Sequence, residues 1–192
     1  MAQKVILDVD TGRDDGVAHA PKTYLKHASG VVNLSRFRDM DIPVGLATDG
    51  VVSNNTLDIL EQMRLTALMQ KSLSGDPTLF PIREILEIAF CGGAKVVHRE
   101  SELGAIIPGK LADIVLLRQD GVHVYPRHNP AANLVYSSRA SDVDTVVCNG
   151  KLLMRQGKLL TIDKERVKRE VSKRLKRLGQ RVPGKRIATY PV

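Results

Sequence analysis

The sequence has no tryptophan and only three phenylalanines and four tyrosines among 192 residues, so a core built on stacked aromatic rings is excluded. What core there is must come from aliphatic side chains, which the 43% apolar content allows. Cysteine is almost absent. Cys91 and Cys148 stand alone, in no metal-ligand spacing, which excludes a thiolate zinc cluster and argues against a disulfide scaffold. They read as buried thiols of a cytoplasmic protein. Five histidines occur, none in an H-x-H pair. No apolar run approaches the eighteen or so residues of a membrane span, and the N-terminus has no basic-apolar-small pattern of an export signal. No membrane association is expected.

Charge is present, but in one place. The net charge is +8, and residues 163–186 alone hold eleven Lys or Arg against three acids, which leaves the rest of the chain balanced. A neutral body with one basic segment is not the pattern of a nucleic-acid-binding domain. Val167, Val171, Leu175 and Leu178 keep a helical stripe through that segment. The expectation is a helix docked by its stripe with a solvated basic face. Without interleaved aromatics, nucleic acid is not the expected partner.

The chain is organised around residues 41–58. Ile42 to Ala47 is a short apolar run after Asp41 and reads as a buried strand. It ends on Thr48-Asp49-Gly50, then Ser53-Asn54-Asn55, then a helix from about Leu57. A strand-end carboxylate followed by glycine is where a parallel α/β barrel places a catalytic group, although an N-cap or turn residue is the ordinary alternative. The whole string resembles the last barrel strand of the amidohydrolase superfamily, in the branch of ring deaminases and chlorohydrolases, whose pattern is G-T-D-G followed by S-N-N. Ala47 departs from the usual glycine. The resemblance implies that Asp49 binds the catalytic metal and takes a proton from the attacking water.

His19-Ala-Pro-Lys-Thr-Tyr-Leu-Lys-His-Ala-Ser-Gly30 resembles the penultimate strand and loop of the same branch, with Thr23-Tyr24 and His27 as departures. His19 would then orient substrate from a strand end, or serve as a structural histidine. Lys26 and Ser29 would shape the loop. Upstream, Lys4 to Val9 reads as a strand opening into Asp10-Thr11-Gly12-Arg13-Asp14-Asp15. Four carboxylates within eight residues suit a hard divalent ion with oxygen ligands, or else a solvated acidic turn. Residues 4–18 resemble the start of nucleoside hydrolases, which would put Asp10 and Asp15 on calcium and Asp14 at the ribose or the water.

Leu57, Leu60, Met63 and Ala67 mark one face of a helix running to about Leu73, on which Glu61 and Arg64 are spaced to pair. Ser74 to Pro77 breaks the chain, and a second helix runs from Pro81 to about Val97. Gly92-Gly93 near its end implies close packing. Gly104 to Leu117 resembles the segment by which these enzymes enter a small β domain, with Ile114 to Leu117 as a buried strand. Asp113 is expected to bond local backbone. Asp144 to Val147, Asn149-Gly150 and Lys151 to Met154 form a strand, a type I′ turn and a strand. His123 and His128 are expected to face solvent.

The fold expected is α/β: a partial TIM-barrel (amidohydrolase) segment with a small β domain and a C-terminal helix. Its parts are residues 1–17, a nucleoside-hydrolase-like strand and acidic loop; 18–100, the C-terminal part of a barrel; 101–162, the β domain; and 163–192, the basic helix and tail. A complete barrel needs about 250 residues, and the resemblance implies six further strands carrying H-x-H and other metal ligands that this sequence lacks. The implied chemistry is metal-dependent hydrolysis of a C–N bond on a purine-, pyrimidine- or triazine-like ring, with zinc or iron as the metal and calcium at the acidic loop. The chain is expected to be truncated or split, inactive alone, and prone to self-association through unpaired strand edges. A non-catalytic remnant and a nucleoside hydrolase are the alternatives.

Overall fold

The computed structural model of the chain describes residues 16–181, with side chains up to residue 178. Two short strands, β1 (Val17–His19) and β2 (Val44–Leu46), lie parallel, with Val17 opposite Val44 and His19 opposite Leu46. The run expected as a strand from Ile42 to Ala47 is in register with β1 over Val44–Leu46, with one further backbone bond on either side, at Pro43 and Ala47. Helices α1 (Pro21–Lys26) and α2 (Leu34–Asp39) connect the two strands, and α3 (Val51–Asn54) follows β2 directly. This strand–helix–strand unit is parallel because the helical connection carries the chain back to the starting edge.

The long helix α4 (Ile59–Ser74) begins where Asp58 can cap it. The Asp58 carboxylate accepts from the N–H groups of Leu60 at 2.9 Å and Glu61 at 3.1 Å, a contact worth about 1 kcal/mol. It ends at Gly75, whose φ of 70° suits the left-handed residue that closes a helix. Met63 and Ala67 are fully buried with Leu34, Phe80, Ile85 and Val135 in one core. Glu61 and Arg64 do not pair with each other. Glu61 meets Lys22 at 2.7 Å, while the Arg64 guanidinium donates to the carbonyls of Tyr136, at 2.8 Å, and Ser138. Nearby carbonyls at a helix end outcompete an exposed i,i+3 partner worth only tenths of a kcal/mol.

The second helix is continuous but not uniform. It runs as α5 (Ile82–Glu87), a π-helical turn (Ile88–Gly92) and α6 (Gly93–Val96). Of the two glycines expected to mark close packing, Gly92 does so, whereas a Cβ at Gly93 would meet nothing within 4 Å. A Cβ at Gly92 would lie 2.0 Å from the carbonyl oxygen of Val44, and one at Gly45 would lie 2.7 Å from the Cα of Gly93. The helix thus rests directly on β2.

A second sheet is antiparallel, in the order β3 (Ile114–Leu117), β4 (Val143–Cys148), β5 (Lys151–Arg155) and β6 (Lys158–Leu159). Asn149-Gly150 and Gln156-Gly157 both have positive φ at each central residue, the type I′ signature. Helix α7 (Pro130–Tyr136) lies between β3 and β4 in sequence, with Asn129 capping it through Ala132 N–H at 3.0 Å. Asp113 does bond backbone, but 36 residues away. Its carboxylate accepts from Asn149 N–H at 2.6 Å and pins the β4–β5 turn beside β3.

Further expectations fail. Ile114 to Leu117 forms a strand but is not buried, since Val115 and Leu116, with no layer over them, are 51% and 53% exposed. Cys91 and Cys148 are exposed, not buried, and Asp113 beside Cys148 raises that thiol's pKa. His123 is drawn in to Asp142 at 2.8 Å, because the buried Asp142 carboxylate needs a donor. Helix α8 (Lys164–Arg181) does not dock its stripe: Val167, Val171, Leu175 and Leu178 are all exposed. Among the described residues, no helix is long and apolar enough to cross a membrane.

Candidate functional site

Parallel pairing places the ends of β1 and β2 together, and the chain after each strand turns onto the same side. After β2 comes Asp49, in the left-handed region with φ 60°. Aspartate tolerates this conformation better than most residues, since its short side chain bonds locally. One carboxylate oxygen accepts from Gly50 N–H at 2.6 Å and the other from the Ser53 hydroxyl at 2.6 Å. The Ser53 hydroxyl, then the Gly50 N–H, hold the Asp49 carboxyl below its usual pKa, with Thr23 and His27 adding to the same direction. Asp49 is exposed. The result is an ionised carboxylate, open to solvent, at the tip of a parallel strand.

His19 ends β1 and is fully buried, packed at 5.5 Å between ring centroids against Tyr24. Neither ring nitrogen has a hydrogen-bond partner. Burial lowers its pKa to about 4, so it is neutral at pH 7. Direct contact with a solvent-borne ligand is closed to it as it stands. The Nδ2 of Asn54 and the Nε2 of Gln62 are likewise buried without partners.

The loops after β1 and β2 are tied by two lysines of α1. Lys22 Nζ reaches Thr56 Oγ1 at 3.0 Å and Glu61 at 2.7 Å, and Lys26 Nζ donates to Asn55 Oδ1 at 2.6 Å and to the Val52 carbonyl at 3.1 Å. Burial works against ionisation of Glu61, but Lys22 and Thr56 outweigh it and keep its pKa low. Lys26 therefore shapes the loop, as expected. Helical spacing matches Glu61 to Arg64, and no local signal points to Lys22, which lies 39 residues from Glu61. Asp10, Asp14 and Asp15 lie outside the described residues.

A structural zinc or catalytic zinc takes three or more protein ligands. Among the described residues no three His, Cys, Asp or Glu side chains gather to hold a metal. Asp49 can supply one ligand. These residues alone do not fit the ion.

The model of the amidohydrolase family matches residues 2–153. The chain is 44% identical over 170 residues to a 5-methylthioadenosine/S-adenosylhomocysteine deaminase of Desulforudis audaxviator, covering 88% of this chain and 40% of that protein. It is 40% identical over 161 residues to a 5'-deoxyadenosine deaminase of Methanothermobacter thermautotrophicus, covering 84% and 37%. Among solved structures it resembles an adenosine deaminase from Xanthomonas campestris with bound zinc, with a TM-score of 0.82 and 27% identity over 86% of this chain and 38% of that one. It also resembles an atrazine chlorohydrolase of Arthrobacter aurescens complexed with zinc, with a TM-score of 0.74 and 30% identity over 82% and 35%. The chain thus spans about 40% of the length of the curated relatives it matches. The family match takes in residues 2–17 and favours this family over the nucleoside hydrolases.

Proposed function

The chain belongs to the amidohydrolase family, and from that premise we propose that it supplies the last two barrel strands of a hydrolase that deaminates an adenine-type ring. The observation that carries the proposal is Asp49: exposed, ionised and set at the tip of β2 beside the end of β1. In this reading Asp49 accepts the proton of the water that attacks the ring carbon. The lysine ties from α1 hold the loop that carries it. His19 is a positioning residue, buried beneath the site. The divalent metal of such an enzyme, zinc by likeness to the solved relatives, would have Asp49 as one ligand and would need its others from outside the described residues.

A second reading has its own support. Both hydrogen bonds of Asp49 are local, from Gly50 N–H and the Ser53 hydroxyl where α3 begins, and they fit a non-catalytic module equally well.

A chimera separates the two. Residues 16–153 of this chain replace the matching segment of the Desulforudis audaxviator relative, and deamination of 5-methylthioadenosine is followed. The proposal expects turnover with bound zinc, and a loss of about 10²-fold to 10⁴-fold in kcat for Asp49→Asn. An active chimera indifferent to Asp49→Asn, or a folded chimera without turnover, overturns it.

A further inference from the structure

Two apolar surfaces are without a partner among the described residues, a groove and a helix stripe. The first is a groove of about 1240 Å³ between helices α4 to α6 and the antiparallel sheet. Leu60, Leu86, Phe90, Val97, Ile106 and Val115 line it. Four of these stand open to solvent: Phe90 is 48% exposed, Val97 56%, Ile106 77% and Val115 51%. The second surface is the stripe of α8, where Val167, Val171, Leu175 and Leu178 are between 48% and 59% exposed. From Val167 to Leu178 the stripe is about 17 Å long, at 1.5 Å per residue. Leu160 and Ile162, also exposed, lead into it.

Charge selects the pairing. Residues 164–178 carry eight Lys or Arg against two Glu. The groove has Asp58, Glu87 and Asp113 on its lining against one base, Arg83. A basic helix laid in that groove meets opposite charge along its flanks. Two α8 helices laid against each other would bring together two strongly positive faces, which opposes a coiled coil of like helices. An anionic membrane surface would satisfy the basic face, but the stripe lacks the aromatic residues that seat interfacial helices.

We propose that α8 of one copy of this chain occupies the groove of a second copy, and that the exchange is reciprocal. A two-fold arrangement uses each helix and each groove once, so no interface is left open to extend into a fibre. A helix face of this length buries on the order of 350 Å² on each side, so two such contacts remove roughly 1,400 Å², within the range of stable interfaces. This pairing is independent of the reading of Asp49.

The test uses the full chain in two variants that spoil one surface each. Val97→Lys with Ile106→Lys puts positive charge in the groove at exposed positions. Val171→Asp with Leu175→Asp spoils the stripe, again at exposed positions. Circular dichroism establishes that both variants fold, and light scattering measures mass at micromolar concentration. The parent is expected at twice the 21.1 kDa of one chain. Each variant alone is expected at the single mass, and an equimolar mixture should regain the doubled mass, since one intact groove then meets one intact helix. A monomeric parent, whether free, with α8 folded back on its own groove, or sedimenting only with anionic vesicles, overturns the proposal. So does a groove variant that remains dimeric, which would mark contact between the helices themselves.

Discussion

The main-chain N–H of Ala47 donates to the carbonyl of His19 at 2.9 Å, one residue beyond the last register pair of the parallel strands. That bond carries the pairing to the very ends of β1 and β2. It places the buried imidazole and the exposed Asp49 carboxylate on successive tips of one sheet, two residues after the bonded Ala47 in the second case.

Asp49 should titrate below its ordinary range because Ser53 and Gly50 donate to its ionised form. Its folded pKa is depressed, so these bonds favour the fold above the unfolded pKa and are lost as pH falls through the folded one. Carboxyl-carbon NMR should place the midpoint of Asp49 below 3.8, and Ser53→Ala should move it up. An unchanged midpoint in Ser53→Ala would show that the hydroxyl is not the cause.

His19 gives a pH dependence of the other chemical type. The folded imidazole has a pKa near 4 against 6.5 unfolded, so between these values the unfolded chain binds the extra proton. Stability is therefore complete above pH 6.5 and falls as pH drops toward 4, by roughly 3 kcal/mol in all. Because neither nitrogen has a partner, His19→Leu should cost little at neutral pH and flatten this slope. Melting temperatures at pH 7 and pH 5 for both proteins decide it; equal slopes would refute the assignment.

Gly92 and Gly93 should respond oppositely to alanine. At Gly92 the added Cβ meets the Val44 carbonyl oxygen at 2.0 Å, a backbone atom that cannot step aside, so Gly92→Ala is expected to cost about 3 kcal/mol or more. At Gly93 nothing lies within 4 Å, and the helical backbone should gain about 0.5–1 kcal/mol from Gly93→Ala. Urea melts of the two variants read this directly. Two changes of the same sign would contradict the packing of this helix on β2.

The His123–Asp142 pair should hold the entry to the antiparallel sheet. Burial disfavours the charged Asp142, but bonds from His123 at 2.8 Å and from Arg139 N–H at 2.8 Å outweigh it and lower its pKa. Asp142→Ala leaves the Arg139 N–H without its acceptor and is expected to cost about 1–3 kcal/mol. The depressed pKa also means that this support disappears only as pH falls below the ordinary aspartate range. Amide exchange in β4 should quicken in the variant while α4 is spared; uniform protection would count against a local role.

The sequence by itself determined the local elements and the family. The apolar run Ile114 to Leu117, the Asn149-Gly150 turn and the capped, apolar-faced α4 rest on short-range chemistry, and each element stands in the structure close to where its residues put it. The strand-end Asp49 was legible for the same reason: a carboxylate, a glycine and a serine four residues on form one local motif. Tertiary structure alone decided the partners. Glu61 took Lys22 rather than its helical neighbour Arg64, and His123 left solvent for Asp142, because competition among charges is settled by which groups folding brings close. It also decided what is covered. Periodicity marks a stripe on α8 as apolar but cannot say whether a surface in the same chain lies within reach of it, and here that stripe is bare. Burial is a property of the neighbours, and neighbours far apart in sequence leave no local trace of one another.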